Sequence, residues 1–307
     1  MSATLDLEID GQSFPARADE TILEVARRQG IFIPALCAHP LLKPYGACRL
    51  CLVEIQHHQH TRLVAACAYP AQAGLVVRTA TPAVQELRRG LMELLLARCP
   101  DSAPVRELAQ QLGVRQSRFP TLSRAGENCV LCGLCVRVCH EIIGASAISF
   151  AYRGIARCVD SPFSLGAEDC LGCCACAVLC PTGAISVRYQ ADSLTLLPFK
   201  ITVPLGHCVL CGKPVAPSPL LALVKSQTPL PVAAGHLCAD CKTDRHAHTL
   251  AHGCISLCSA QPRSAGVPPA GSGGVPPPGP TPVETTGQPA GETPALHRRA
   301  AAQKSSL

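Results

Sequence analysis

Two stretches of the sequence repeat one cysteine pattern: Cys129-Val-Leu-Cys132-Gly-Leu-Cys135-Val-Arg-Val-Cys139 and Cys170-Leu-Gly-Cys173-Cys-Ala-Cys176-Ala-Val-Leu-Cys180-Pro181. Both copies are spaced C-x2-C-x2-C-x3-C, and residues 127–149 and 168–187 form an internal repeat. A four-iron cluster takes three thiolates from one tight loop, and in proteins with two such clusters the fourth comes from the other run. The repeat therefore predicts two [4Fe-4S] clusters, one on Cys129, Cys132, Cys135 and Cys180 and the other on Cys139, Cys170, Cys173 and Cys176.

Two zinc sites, or cysteines without a metal, are the alternative for this repeat. Zinc motifs use pairs of cysteines rather than a triplet followed by a fourth, so the alternative fits less well. Residues 120–190 resemble the bacterial dicluster ferredoxins. Cys158 and Cys174 are left over; Cys174 could compete for an iron, but we interpret it as a non-ligand thiol that points off its loop.

A second set of four cysteines lies nearer the N-terminus, with the spacing C-x10-C-x2-C-x15-C: Cys37, Cys48, Cys51 and Cys67. Gly46 and Ala47 keep the loop small, which lets backbone N–H groups approach sulfur atoms. The run Gly46-x-Cys48-Arg49-x-Cys51 resembles the [2Fe-2S] domain of the large iron-sulfur subunit of complex I, of the small diaphorase subunit of NAD-linked hydrogenases and of iron-only hydrogenases. The resemblance implies one [2Fe-2S] cluster on these four cysteines; four buried free thiols are the alternative.

The residues around this motif predict a small β-grasp domain over 1–80. Alternating Leu5, Leu7 and Ile9 lead into a turn at Asp10-Gly11 and a second strand, which indicates a hairpin. A helix follows between Asp19 and Gly30, and residues 52–79 supply the remaining strands.

Residues 81–120 predict a helical segment. Thr81-Pro82 offers an N-cap and a proline at the first helical position, and a second helix runs from Ser102 to Leu112. We expect the first helix to bury one leucine-rich stripe, formed by Val84, Leu87, Leu91, Leu94 and Leu95. The family often binds a further cluster here through one His and three Cys; this segment has no His and only Cys99, so we expect that cluster to be missing and Cys99 to be a buried small side chain.

A third constellation pairs two Cys-x2-Cys knuckles, formed by Cys208, Cys211, Cys238 and Cys241. Such pairs resemble a zinc ribbon, in which one Zn²⁺ takes four thiolates. A rubredoxin-like iron or a fourth cluster is the alternative. Three histidines and two cysteines follow in a spacing that matches no metal motif, and we interpret them as a polar tail: His246, His248, His252, Cys254 and Cys258.

Composition narrows the function classes. The chain has 307 residues, 21 Cys and no Trp. Its acidic N-terminus does not fit a signal peptide, so we expect a cytoplasmic protein with reduced thiols. No apolar run is long enough for a membrane span. Peripheral association with a membrane is compatible with the sequence. The formal charge of +6 falls by about 2 for each filled four-cysteine site, so we expect no nucleic-acid partner.

The predicted class is α+β: a β-grasp [2Fe-2S] ferredoxin domain (1–80), a short helical linker (81–120), a dicluster [4Fe-4S] ferredoxin domain (121–200), a zinc-ribbon-like module (201–258) and a disordered Pro/Gly-rich tail (259–307). The sequence has no dinucleotide fingerprint after a strand and no P-loop. The resemblance implies an electron-transfer subunit of a multi-subunit oxidoreductase, placed between an NAD(P)H-linked flavoprotein and a hydrogenase, formate dehydrogenase or complex I-like partner. A diffusible ferredoxin and a redox-responsive zinc/iron-sulfur binding protein are the alternatives.

Overall fold

The computed structural model describes residues 4–57, 60–121, 128–161, 168–228, 237–245 and 247. All of them belong to one unit, Met1–Cys254. The predicted tail, 259–307, lies outside the described residues, as do His246, His248, His252, Cys254 and Cys258.

The N-terminal part is a five-stranded sheet with one helix against it. Its strands are β1 (Thr4–Ile9), β2 (Gln12–Arg17), β3 (Leu52–His57), β4 (His60–Ala65) and β5 (Val76–Arg78). The spatial order is β2-β1-β5-β3-β4, with β1 and β5 parallel and the other pairs antiparallel. The predicted hairpin is present, and its turn has φ of 49° at Asp10 and 84° at Gly11, as a tight hairpin turn requires.

Helix α1 (Ile22–Arg28) closes this sheet's core. Its first turn carries a capping box, in which the Thr21 backbone N–H donates to the Glu24 carboxylate at 2.7 Å. The apolar side chains of α1 and of the alternating strands are buried together, among them Leu7, Ile9, Ile22, Val25 and Ile55. The mixed α and β composition is therefore as predicted.

Two helices, α2 (Pro82–Arg98) and α3 (Ala103–Gln111), follow the sheet. Thr81 caps α2 as predicted, because its hydroxyl accepts from the Val84 N–H. The predicted leucine stripe is right for Val84, which is buried, and for Leu91 and Leu95, which pack against a buried cluster. It is wrong for Leu87 and Leu94, which are 42% and 46% exposed. The side chains of Arg88, Met92 and Leu96 are buried in their place.

The cysteine repeat forms two short helices, each preceded by a loop. These are α4 (Leu134–Arg137), which continues into a π-helical turn (Val138–Ile142), and α5 (Ala175–Val178). Gly133 and Cys174 occupy equivalent places before the two helices and both have positive φ, 77° and 60°. Between the copies lie β6 (Ser149–Ala151), a 3-10 turn (Gly154–Ala156) and β7 (Cys158–Asp160).

A second sheet follows the repeat. Its strands are β8 (Ser186–Tyr189), β9 (Ser193–Leu197), β10 (Ile201–His207) and β11 (Pro214–Pro217), antiparallel in the order β11-β10-β9-β8. Helix α6 (Ser218–Gln227) packs against β10, and a helical segment covers 239–245. Every helix among the described residues is too short or too polar to cross a bilayer.

Candidate metal centres

The first centre gathers Cys37, Cys48, Cys51 and Cys67 beside the N-terminal sheet. Three of them are buried, and the Cys48 backbone N–H donates to the Cys37 sulfur at 3.4 Å. Hydrogen bonds from the Cys48 and Cys67 thiols lower the pKa of Cys37 to about 2, and the Cys67 thiol lowers the pKa of Cys51 to about 7. The four sulfurs are therefore close together, and backbone N–H groups point at them.

The loop that carries two of these cysteines is bent to reach the others. Gly46 and Arg49 have φ of 67° and 59°, so the chain turns sharply on both sides of Cys48. The Leu36 N–H donates to the Cys48 sulfur at 3.4 Å. Four convergent thiols with amide donors are the donor set that an iron-sulfur cluster needs.

The second centre surrounds a cavity of about 130 Å³. Its lining contains Cys129, Cys132, Cys135 and Cys180, and also Cys158. Burial raises the pKa of Cys132 to about 11, and nearby Cys180 and Cys129 add to the rise. A buried thiol that keeps its proton in the absence of a metal is held as a thiolate when it binds a cation. This donor set therefore fits a metal cluster.

The third centre is a smaller cavity, lined by Cys139, Cys170, Cys173 and Cys176 together with Cys174. The Ala147 N–H donates to the Cys139 sulfur at 3.3 Å. Burial raises the pKa of Cys176 to about 12. The Cys174 thiol donates to the Gly172 carbonyl at 3.3 Å, so it is engaged with its own loop.

The fourth centre brings together Cys208, Cys211, Cys238 and Cys241, whose sulfurs all lie within 4.8 Å of one another. Backbone N–H groups, that of Cys238 first, lower the pKa of Cys208 to about 6. The two knuckles are also joined by an ion pair between Lys213 and Asp240 at 2.9 Å. Four thiols at this separation match the tetrahedral set that Zn²⁺ takes.

The first three centres are joined through shared buried clusters. Cys37 of the first centre and Cys132 of the second lie in one hydrophobic cluster with Leu42 and Leu134. Cys135 of the second centre and Cys176 of the third lie in another. The three sets of thiols therefore form a continuous series through the interior.

Arg137 and Glu141 fasten the first centre's loop to the second centre. The Arg137 guanidinium donates to the Glu141 carboxylate at 2.9 Å, and it also donates to the Lys43 carbonyl. Its central carbon lies 5.1 Å from the centroid of the Tyr45 ring. Tyr45 also packs against Gly133, where an added Cβ would lie 3.4 Å from the ring. We call Lys43, Tyr45, Gly133, Arg137 and Glu141 the loop joint.

Sequence reasoning missed Arg137 and Arg98; the Arg98 guanidinium donates to the Cys129 carbonyl at 2.9 Å. The i, i+4 spacing of Arg137 and Glu141 was a visible signal for an ion pair. The signal did not indicate the partner loop. Cys99, by contrast, is buried between α2 and α3, as predicted.

Comparison with known proteins agrees with the first centre. Residues 2–82 match the family model of the 2Fe-2S iron-sulfur cluster binding domain, and this range contains Cys37, Cys48, Cys51 and Cys67. The chain is 32% identical to a subunit of NADH-quinone oxidoreductase of Rhizobium meliloti over 231 residues, 66% of this chain and 26% of the relative. It is also 32% identical to the NADPH-Fe(3+) oxidoreductase subunit alpha of Geobacter sulfurreducens over 203 residues, 59% of this chain and 24% of the relative.

A solved structure extends the match over nearly a whole subunit. A chain of an NAD+-reducing [NiFe]-hydrogenase in the H2-reduced state is 30% identical with a TM-score of 0.52, and the match covers 66% of this chain and 92% of that one. This chain belongs to the iron-sulfur subunits of complex I and NAD-linked hydrogenases. The family resemblance of the cysteine motifs is thus confirmed, and with it the iron-sulfur, electron-transport class of function.

Family membership covers only part of the larger relatives. The chain spans about a quarter of the first two curated relatives, 26% and 24% of their lengths. Their remaining parts have no counterpart in the match.

Proposed function

We propose that the chain is the electron-transfer subunit of a multi-subunit oxidoreductase and holds three iron-sulfur clusters and one Zn²⁺. One [2Fe-2S] cluster is assigned to Cys37, Cys48, Cys51 and Cys67. Two [4Fe-4S] clusters are assigned to Cys129, Cys132, Cys135 and Cys180 and to Cys139, Cys170, Cys173 and Cys176. The zinc ion is assigned to Cys208, Cys211, Cys238 and Cys241.

The observation that carries this proposal is the series of shared buried clusters between the first three centres. Cys37 lies in one buried cluster with Cys132, and Cys135 lies in another with Cys176, so packed protein lies between neighbouring centres. Bound iron-sulfur clusters supply one-electron chemistry. The chain's own residues supply spacing, exclusion of water and amide hydrogen bonds to sulfur.

We assign the fourth centre a bracing role, because zinc does not change its oxidation state. β10 and β11 carry this module, and Pro217 at the end of β11 touches the loop of the third centre at Gly172. The module thereby supports the loop that carries Cys170 and Cys173.

The domain bounds proposed for this arrangement are 1–80, 81–120, 121–200, 201–258 and a tail at 259–307.

The proposed partners follow from the names of the relatives, which act with NADH, NADPH or NAD+. We propose a flavoprotein that exchanges electrons with NAD(P)H on one side, and a catalytic oxidoreductase subunit of the hydrogenase, formate dehydrogenase or complex I type on the other. Plant-type [2Fe-2S] centres lie near about −400 mV, close to the nicotinamide couple. We place the complex in the cytoplasm, where thiols stay reduced.

Anaerobic co-purification of the chain from its native cell, with every associated polypeptide identified by mass spectrometry, tests this function. We expect a flavoprotein together with a catalytic oxidoreductase subunit. A lone chain with intact clusters would contradict the subunit assignment and make the protein a diffusible ferredoxin. Nucleic acid recovered in salt-dependent association would contradict it in favour of a redox-responsive binding protein.

A further inference from the structure

Arg88 is a buried cation on the inner face of α2. Only 6% of its surface is exposed, and it occupies the stripe between Val84 and Met92 that faces the N-terminal sheet. Arginine stays protonated in proteins, and burying a charge is costly unless it is paired and hydrogen-bonded. The position therefore needs an explanation beyond packing.

The guanidinium contacts the backbone on both sides of Cys51. Its Nε donates to the Leu50 carbonyl at 3.1 Å and one Nη donates to the Leu52 carbonyl at 2.7 Å. Two carbonyls that flank one cysteine are thus held by a single planar fork, a geometry that lysine does not reproduce. This fork fixes the backbone from which the Cys51 thiol projects.

The negative groups that act on Arg88 point to the same centre. Burial lowers the pKa of Arg88, while the Cys51 thiolate and, more weakly, Asp10 raise it. The Thr79 backbone N–H donates to one Asp10 carboxylate oxygen at 2.7 Å, and the Thr79 hydroxyl donates to the other at 2.5 Å. Cys51 of the first centre therefore acts on this buried arginine more strongly than Asp10 does.

We propose that Arg88 is a positioning residue of the first centre, one that raises the reduction potential of the [2Fe-2S] cluster held there. The inference rests on the proposed ligand set Cys37, Cys48, Cys51 and Cys67. Reduction adds one electron to this centre, without forming or breaking a bond, and makes it more negative. A fixed buried cation stabilises the more negative state, because charge interactions are strong where water is excluded.

The test is an EPR-monitored redox titration of the whole chain, reduced with dithionite, in wild type, Arg88→Gln and Arg89→Gln. Arg89 follows Arg88 on the same helix but is exposed, so its variant loses the same charge without touching the centre. We expect Arg88→Gln to disfavour reduction of the [2Fe-2S] cluster at least tenfold, about 59 mV toward negative potential for one electron. Arg89→Gln and the [4Fe-4S] potentials should stay unchanged.

An unchanged [2Fe-2S] potential in Arg88→Gln would overturn the proposal. If this variant does not retain the cluster, Arg88→Lys decides: it keeps the charge but not the fork, and we expect reduction to be disfavoured relative to wild type by less than tenfold. An unchanged potential in Arg88→Lys would then overturn the proposal. Loss of the cluster from both variants would make Arg88 structural only and would also overturn the proposal.

Failure of the proposed function is distinguishable from failure of this inference. A wild-type chain without a [2Fe-2S] signal contradicts the ligand assignment itself. A wild-type signal whose potential does not respond to Arg88 contradicts only the inference.

Discussion

Cys37 and Cys132 lie in one buried hydrophobic cluster, although Cys37 follows the first helix of the N-terminal sheet and Cys132 belongs to the cysteine repeat. Their side chains bring the first two centres together across a protein interior. The thiols are therefore arranged as a series, in which each centre has a neighbour, and not as isolated metal sites.

The loop joint fixes the position of the first centre relative to the second. Removing the Arg137 guanidinium, as in Arg137→Met, breaks its bonds to Lys43 and Glu141 and its contact with Tyr45. We expect all clusters to be retained but the magnetic interaction between the first and second centres to weaken, measured by pulsed EPR of the reduced protein. Arg153→Met, at an exposed position, is the control, and an unchanged interaction in Arg137→Met would refute the role of the joint.

The crossed assignment of the fourth ligands predicts which cluster a variant damages. Cys180→Ser should disrupt the cluster otherwise held by Cys129, Cys132 and Cys135, and iron should fall below the full complement of about 10 atoms per chain. Cys158 lines the same cavity but is not assigned as a ligand, so Cys158→Ser should retain all iron. Iron analysis with EPR checks both variants; loss of iron in Cys158→Ser with retention in Cys180→Ser would reverse the assignment.

Gly172 is predicted to be intolerant of a side chain. It has φ of 69°, and an added Cβ would lie 2.8 Å from two Pro217 atoms and 3.3 Å from Val203. Gly183 has a similar φ of 65° but open space around it, so Gly183→Ala isolates the conformational cost of about 1–2 kcal/mol. Gly172→Ala should add overpacking of about 1–3 kcal/mol.

The measurement for this pair is the rate at which visible cluster absorbance is lost in denaturant. We expect Gly172→Ala to bleach clearly faster than Gly183→Ala. Equal rates would mean that Pro217 does not support the loop of the third centre.

The fourth centre should hold zinc and no iron. Metal analysis of the anaerobic protein should give about one zinc per chain, and Cys211→Ser should lose it while iron and the visible spectrum remain. About fourteen iron atoms without zinc would instead identify a further four-iron cluster there.

Spacing predicted the four cysteines of the repeat that share each cavity, but not that Cys158 and Cys174 also line these cavities. Three thiolates of each cluster come from one short loop, so local sequence determines their convergence, and the repeat indicates the exchanged fourth residue. The ligand assignment itself stays a prediction until metal is measured. The N-terminal hairpin and the cap of α2 were predictable for a similar reason, because turn and capping residues act locally.

The buried arginines could not be predicted in the same way. The leucine pattern of α2 favoured a face containing Leu87 and Leu94, yet the helix turns Arg88 inward, because the carbonyls of Leu50 and Leu52 accept from it. Backbone acceptors at and just before the start of a distant strand leave no trace in a hydrophobic pattern. The C-terminal sheet was also larger than expected: only its strand near Ile201 was predicted, although β9 and β11 pair with this strand and β8 pairs with β9.

Quantitative EPR of the fully reduced anaerobic protein, combined with its iron content, tests whether the three cysteine centres form a connected electron-transfer series. We expect about ten iron atoms, one [2Fe-2S] signal and two [4Fe-4S] signals. Mutual interaction should broaden these signals, because Cys37 shares a buried cluster with Cys132 and Cys135 shares another with Cys176. Fewer than three cluster signals, or three sharp signals without interaction, would contradict a connected electron-transfer series.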